Sequence, residues 1–163
     1  MIFQCTTLAT EYLYILNDKC INELYQKAKK HFENSEIIAI KDSRGIILRL
    51  YFDDPISEYK NSSINTYKKI EYFLAKIENP AIIEVHTSYF PIKKSKSLKN
   101  WEISTIIANK IESIITVPLG TINQNRINSV GYGEFLPAKN TPNNGGKNFN
   151  RVDIIILCNI TGE

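Results

Sequence analysis

Apolar side chains recur at steps of three and four residues in the first part of the chain. This spacing places them on one face of an α-helix and predicts a helix over residues 8–33. The recurring residues are Leu13, Leu16, Cys20, Leu24, Ala28 and Phe32. Lys27, Lys29 and Lys30 lie near the end of the predicted helix, where positive charge suits the negative pole of the helix dipole.

Two runs rich in β-branched residues follow, and a short polar turn separates them. The stretch EIIAIKDSRGIILRLYF contains this turn at Asp42-Ser43-Arg44-Gly45, where the glycine can adopt a positive φ. We therefore predict a β-hairpin with strands near 36–41 and 46–52.

The rest of the chain alternates between helical and strand-like patterns. Helices are predicted over residues 62–77 and 100–115, and strands over 81–87, 126–132 and 151–157. The loop before the last strand is rich in Gly, Pro and Asn. The resulting order is α, ββ, α, β, α, β, β. It predicts the α/β (α+β) class, a two-layer sandwich with helices packed on a mixed sheet.

Composition narrows the class of protein. With 163 residues the chain can form one domain with an appendage, and its net charge of +3 does not favour nucleic-acid binding. The longest apolar run, Ile154 to Cys158, is far shorter than the roughly 20 residues of a membrane span. The first residues lack the pattern of a signal peptide. We therefore expect either a fragment of a longer protein or a chain that a partner brings to its place of work.

The cysteine and histidine residues give no pattern of a metal or cofactor site. The odd number of cysteines, Cys5, Cys20 and Cys158, argues against a disulfide framework. Within one helix, Cys5 and Cys20 would lie roughly 20 Å apart, too far for a disulfide. Cys158 follows a run of isoleucines and is expected to be a buried, inert thiol. His31 and His86 are expected to be structural residues.

Four short motifs occur in a fixed order along the chain. They are VHTS at Val85–Ser88, NWEISTIIA at Asn100–Ala108, GYGEFLP at Gly131–Pro137 and NRVDI at Asn150–Ile154. With this order and spacing, residues 36–158 resemble the OmpA/MotB-like peptidoglycan-associating domain, and the motifs look most similar to its flagellar-stator branch. Each motif lies on the element where the family has it.

The resemblance implies a fold and a biological setting. The family fold is a βαβαββ mixed sheet with helices on one face, here over residues 36–163. Residues 1–35 would be an amphipathic linker or interaction helix. The implied function is a non-catalytic module that binds peptidoglycan in the periplasm or cell envelope. The implied partners are membrane-anchored stator or envelope proteins and a second copy of the chain, with no cofactor or metal.

The resemblance also shows where two charges of the family site are missing. The family holds the diaminopimelate unit of the wall peptide with the Asp of H-T-D and the Arg of S-x-x-R-A. Ser88 and Ile107 stand at these positions. Ile107 continues an apolar stripe with Ile103 and Ile111, so we expect it to pack in the core. Each lost charge-assisted contact is typically worth ~1.5–3 kcal/mol, which predicts weakened or altered recognition.

Five residues remain as candidate ligand-binding residues by position in the family motifs: Thr87, Ser88, Asn100, Ser104 and Arg151. Asn100 is interpreted as the N-cap of its helix, either alone or with a ligand contact in addition. Arg151 could bind a ligand carboxylate or pair with Glu134 or Asp153. Thr87 and Ser88 are also explained as ordinary hydroxyl groups at a strand end.

Residues around the expected cleft leave further alternatives open. Trp101 is expected to be a packing anchor. Four lysines, Lys93, Lys94, Lys96 and Lys99, either form a solvated loop or attract an anionic wall polymer.

The main alternative function is a domain that has lost wall binding and serves as a dimerisation or scaffold domain in an envelope machine. In this case the apolar stripe of the first helix would contact a partner. An enzyme is not favoured, because Cys158, His86, Glu84 and Glu134 have no catalytic spacing.

Overall fold

The computed structural model describes residues 3–53, 64–87, 99–116, 122–135 and 150–158, with side chains from Asn17 onward. Helix α1 spans Phe3–His31, α2 spans Ile64–Leu74 and α3 spans Asn100–Thr116. The strands are β1 (Ile38–Asp42), β2 (Gly45–Tyr51), β3 (Ala81–His86), β4 (Ile127–Gly133) and β5 (Arg151–Leu157). A short 3₁₀ helix, Gln124–Arg126, precedes β4. The element order predicted from the sequence is confirmed.

The described strands form one five-stranded sheet in the order β1-β2-β5-β3-β4. Strands β3 and β4 are parallel, whereas the other neighbouring pairs are antiparallel. Two strands, β1 and β2, precede α2, whereas the βαβαββ order implied by the resemblance has only one strand at this place. The last strand, β5, lies in the middle of the sheet between β2 and β3, so the C-terminal part of the chain completes the sheet centre.

The three helices cover one face of this sheet. Alternate residues of the central strands, such as Leu48, Ile83 and Ile154, share one buried core with residues of all three helices. In α3 the buried isoleucines follow the predicted stripe. The prediction of a two-layer sandwich with helices on one face is confirmed.

The second half of α1 is part of the domain core. Its buried residues Ile21, Leu24 and Ala28, with Phe32 directly after the helix, belong to the same cluster as the strand residues. In this part of the helix the apolar stripe therefore packs against the chain's own sheet, because β1 and β2 lie beneath it. The division of the chain at residue 35 stays a prediction.

A disulfide joins Cys20 of α1 to Cys158, directly after β5, with a Cα–Cα distance of 5.9 Å. The expectation of an inert thiol at Cys158 is therefore wrong, and a disulfide is present although the odd number of cysteines argues against a disulfide framework. The distance argument from the sequence considered only Cys5 and Cys20, which lie on the same helix. Folding instead brings Cys20 next to Cys158, which is 138 positions away in the sequence. Since Ala81 pairs with Ile156, Cys158 lies at the end of the sheet opposite Thr87.

Arg126 fixes the start of β4 to the end of α2. Its guanidinium donates hydrogen bonds to the carbonyl oxygens of Leu74 (2.6 Å) and Asn79 (2.8 Å). Burial lowers the pKa of Arg126, and the charge of Glu78 partly offsets this effect. The contact joins β4 to the last residue of α2 and to the segment between α2 and β3.

Across the described ranges, no helix combines the length and apolar character that a membrane span requires.

Candidate functional site

Thr87 lies directly after β3 and contacts the start of α3. Its backbone N–H donates to the carbonyl oxygen of Gly133 at 2.9 Å. Its hydroxyl donates to the carbonyl oxygen of Asn100 at 3.4 Å. The side chain is buried. The structure thus brings the ends of β3 and β4 and the start of α3 together, at a place we call the junction: Thr87, Asn100, Ser104 and Gly133.

Ser104 connects α3 to the end of β4. Its hydroxyl accepts a hydrogen bond from the N–H of Gly133 at 2.9 Å and donates to the carbonyl oxygen of Trp101 at 2.9 Å. The side chain is fully buried. Both hydrogen-bonding functions of the hydroxyl are therefore used inside the protein, and Ser104 positions the junction.

Glycines 131 and 133 allow α3 to lie directly against β4. A Cβ atom on Gly131 would meet the backbone nitrogen of Thr105 at 2.2 Å. Gly133 has a φ of +53°, and a Cβ atom there would lie 2.9 Å from the backbone nitrogen of Trp101. Larger residues would push the helix away from the strand. The two glycines of the GYG motif thus have a steric reason to be glycine.

Helix α3 begins with a capping arrangement centred on Lys99. The carbonyl oxygen of Lys99 accepts a hydrogen bond from the N–H of Ile103 at 3.1 Å. The Glu102 carboxylate accepts one from the N–H of Lys99 at 2.6 Å. These contacts put Lys99 at the N-cap, so the N-cap role predicted for Asn100 is wrong by one residue. Asn100 is the first residue of the helix and is partly buried.

Ile107 packs in the core with only 1% of its surface exposed. This confirms the packing role predicted from the apolar stripe. A cation at this position would be placed among Ile103, Ile111 and the sheet, where a charge is costly without a partner. Ser88, the other substituted position, and Lys93, Lys94 and Lys96 lie outside the described residues.

Arg151 lies opposite His86, at the same end of the sheet as the junction, but on the sheet face that points away from α3. It alternates along β5 with the core residues Val152 and Ile154, and its Nε donates to Asp153 at 2.9 Å. Arg49 also donates to the two carboxylate oxygens of Asp153, at 2.6 and 2.8 Å. Of the alternatives left open for Arg151, the structure shows the ion pair with Asp153.

The Asp153 carboxylate is ionised at neutral pH. Burial by itself would raise its pKa, but the hydrogen bonds and charge of Arg49, followed by those of Arg151, outweigh burial and lower the pKa below its usual value. Burial likewise opposes the charge of Arg49, whereas Asp153 raises the pKa of this arginine. The result is a buried pair that joins β2 to β5.

His86 extends this polar cluster on the sheet face that points away from the three helices, where its side chain is buried. One ligand atom each of Glu84, His86 and Asp153 lies within 4.8 Å of the others. Both carboxylates already pair with arginines, Glu84 with Arg44 at 3.2 Å and Asp153 with Arg49 and Arg151. A divalent cation would have to compete with these arginines in a charge-balanced site, and we assign no metal to it.

Two large aromatic residues near the junction are exposed. Trp101 is 47% exposed and Phe135 is 70% exposed. The packing role predicted for Trp101 is therefore only partly fulfilled: its backbone packs against Gly133, whereas much of its ring faces solvent.

Sequence reasoning missed the Arg49–Asp153 pair and the capping role of Glu102. The first was not visible because 104 residues separate the partners. The second did have a local signal, since a carboxylate three residues after the cap is typical of a capping box.

No model of a protein family matches the chain. Motility protein B of Bacillus subtilis (strain 168) is 29% identical over an alignment of 138 residues. The alignment covers 82% of this chain and 49% of that protein. The chain thus spans about half the length of this curated relative.

Solved structures of MotB-like proteins and of a cell wall anchor superpose on the chain. A putative MotB-like protein from Desulfovibrio vulgaris matches with a TM-score of 0.69 at 20% identity, over 90% of this chain and 97% of that chain. The cell wall anchor of the T6SS from Pseudomonas aeruginosa matches with a TM-score of 0.65 at 16% identity, over 82% and 96%. The periplasmic domain of Helicobacter pylori MotB matches with a TM-score of 0.58 at 20% identity, over 76% and 82%. The chain is thus similar in sequence to Motility protein B and has the OmpA/MotB-like fold.

Proposed function

We propose that this chain is a non-catalytic peptidoglycan-binding module that anchors an envelope complex, such as a stator-like motor complex, to the cell wall. The observation that carries the proposal is the junction, because the predicted residues Thr87, Asn100 and Ser104 come together there. The relative named Motility protein B and the cell wall anchor of similar fold support the same assignment. Arg151 is not part of the proposed binding surface.

The recognition of diaminopimelate in this module is weakened or altered. Thr87 and Ser104 use their hydroxyl groups inside the protein, and Ile107 is buried in the core. The remaining ligand contacts are therefore assigned to the accessible side of Asn100 and to backbone groups at the start of α3. Such contacts lack the charge pairing that a zwitterionic ligand favours, so we expect affinity in the millimolar range, about −4 kcal/mol.

The direction of α1 suits an anchor. The disulfide places Cys20 at the end of the sheet opposite Thr87. The part of α1 that precedes Cys20 therefore reaches the domain from the side away from the junction. A complex attached through α1 and a wall strand bound at the junction would lie on opposite sides of the domain.

The proposed location is the periplasm or cell envelope. A disulfide that closes a loop across 138 positions is typical of an oxidising compartment. The proposed partners are peptidoglycan, membrane-anchored stator or envelope proteins, and a second copy of the chain.

The test is an NMR titration of the whole chain with a muropeptide that contains diaminopimelate. We expect the amide signals of Asn100, Trp101 and Gly133 to shift at millimolar ligand, and we expect Asn100→Ala to remove the shifts. Asn128→Ala is the matched control, because Asn128 is exposed at the start of β4, whereas the junction lies at its end. Unchanged spectra at millimolar muropeptide would refute wall-peptide binding.

The second candidate function is a domain that has lost wall binding and acts as a dimerisation or scaffold domain. The buried Ile107 and the internal hydrogen bonds of Thr87 and Ser104 favour it. Light scattering on the whole chain tests it together with the titration. A stable dimer without muropeptide binding would favour the scaffold, whereas a monomer that binds muropeptide would exclude it.

A further inference from the structure

A basic pocket of about 550 Å³ lies between the end of α1 and the segment that follows α2. Its lining consists of Lys27, Lys30, His31, Phe73, Lys76 and Ile77. The described lining thus has three lysines and a histidine around an apolar base of Phe73 and Ile77. It contains no carboxylate.

The lysine charges of the basic pocket are not neutralised within the described chain. Lys27, Lys30 and Lys76 form no ion pair with a described carboxylate, whereas Lys19, earlier on α1, pairs with Glu23 at 4.0 Å. Helices α1 and α2 both end near the pocket, and each negative helix pole carries about half an elementary charge. Two such poles offset roughly one of the three lysines. A surplus of about two positive charges remains.

Aromatic contacts organise one wall of the basic pocket. The Lys76 ammonium lies 3.9 Å from the centroid of the Tyr72 ring, and the His31 ring stacks on the same ring at 5.9 Å. His31 also contacts Phe73 at 5.2 Å. These contacts restrain basic side chains before any ligand binds, which lowers the conformational entropy cost of binding.

We propose that the basic pocket binds a linear polyanion with phosphodiester groups. Phosphate oxygens match the surplus of ammonium groups, and a thin flexible strand can enter a concave pocket that a flat bilayer cannot follow. The pocket is distinct from the junction. Lys76 and Ile77 precede β3, whose six residues span roughly 20 Å before Thr87 is reached.

The site therefore goes beyond the proposed function. It gives the chain a contact with an anionic polymer at the C-terminal end of α1. This contact needs neither Asn100 nor the residues that pack against it, so it can exist whether or not wall peptide binds at the junction.

The test is a titration of the whole chain with synthetic poly(glycerol phosphate), followed by NMR and repeated at increasing salt. We expect binding that weakens steeply with salt and shifts signals of His31, Phe73 and Ile77. Lys27→Gln/Lys76→Gln should weaken binding by about tenfold or more, because each charge-assisted contact is worth roughly that factor. Lys27→Arg/Lys76→Arg should retain binding, since it keeps both charges.

The matched control is Lys19→Gln/Lys110→Gln, which removes the same net charge from α1 and α3 outside the pocket lining. It should leave the affinity within about twofold, as screening weakens distant charges. Equal losses in both double variants would overturn the proposal, because the attraction would then depend on net charge alone. Binding to phosphatidylglycerol vesicles without binding to the soluble polymer would overturn it in favour of a membrane surface. Absence of any polymer binding at low salt would also overturn it, and none of these results depends on the muropeptide titration.

Discussion

At the scale of single residues, the polar groups of the junction act first on structure. Ser104 holds the N–H of Gly133 and the carbonyl oxygen of Trp101, and Thr87 is bound to the backbone of β4 and α3. Residues chosen as ligand contacts from motif positions are thus the residues that hold the motifs together. The ligand would meet the surface they support, because their own hydroxyl groups are already bonded.

Replacing Ser104 with alanine should lower the free energy of unfolding by about 1–3 kcal/mol, because the buried N–H of Gly133 loses its acceptor. Urea unfolding followed by circular dichroism measures the change. Thr105→Ala is the control, since the Thr105 hydroxyl also donates to the carbonyl oxygen of Trp101 but is only partly buried. Equal losses in the two variants would contradict the bridging role of Ser104.

Replacing Asp153 with asparagine should destabilise the chain by about 3 kcal/mol or more, because Arg49 and Arg151 would be left without their buried counter-charge. The exposed pair of Asp42 and Arg44 provides the control, and Asp42→Asn should cost less than about 1 kcal/mol. Urea unfolding at neutral pH compares the two variants.

The Asp153 carboxylate also predicts how the free energy of unfolding depends on pH. The pKa of Asp153 is lower in the folded chain than its usual value of about 3.9. Its contribution is therefore fully present above about pH 4 and is lost as the pH falls through the folded pKa. The difference in unfolding free energy between the wild type and Asp153→Asn should shrink in this acidic range. A difference that stays constant down to pH 2 would refute the assignment.

At the scale of elements, helix α3 packs against the core with one part of its surface and contacts the ends of β3 and β4 with its first turn. Its buried isoleucines pack on the sheet, whereas its first turn forms the junction with the ends of β3 and β4. The close approach at Gly131 and Gly133 fixes the position of this first turn. The first turn of α3 therefore has a fixed position beside β4, while the centre of the helix at Ile107 belongs to the core.

Introducing the arginine of the family at this place, as Ile107→Arg, should destabilise the chain by about 3 kcal/mol or more, because a charge would enter the apolar core. Ile106→Arg is the matched control, since Ile106 is 38% exposed and an arginine there can reach water. Thermal and urea unfolding of both variants give the comparison. A fully stable Ile107→Arg chain with tighter muropeptide binding would show that this position can face the ligand.

At the scale of the whole molecule, α1 and the sheet form one unit. Three buried residues and the disulfide attach the second half of α1 to the domain. The covalent link ends next to β5, the central strand of the sheet. Force applied through α1 would therefore reach the centre of the domain directly.

Removing the disulfide with Cys20→Ser/Cys158→Ser should lower the free energy of unfolding by roughly 4–5 kcal/mol, as expected for a crosslink that closes a loop of more than 100 residues. Urea unfolding of the oxidised wild type and of the double variant measures the loss. Cys5→Ser is the control and should leave stability unchanged. Thiol labelling of the folded and unfolded wild type should find one free cysteine. Three labelled thiols would disprove the disulfide.

The sequence by itself determined the elements, their order, the apolar stripe of α3 and the family likeness, because these depend on periodicity and local spacing. It also indicated that Ile107 packs in the core. The tertiary structure alone decided which distant residues meet: Cys20 with Cys158, Arg49 and Arg151 with Asp153, and Ser104 with Gly133. Such contacts depend on strand order and on which face of the sheet a side chain occupies, and a local pattern contains neither. For this reason its motif position alone makes Arg151 a candidate ligand contact, whereas the register of β5 shows that it shares a sheet face with Asp153 and Arg49.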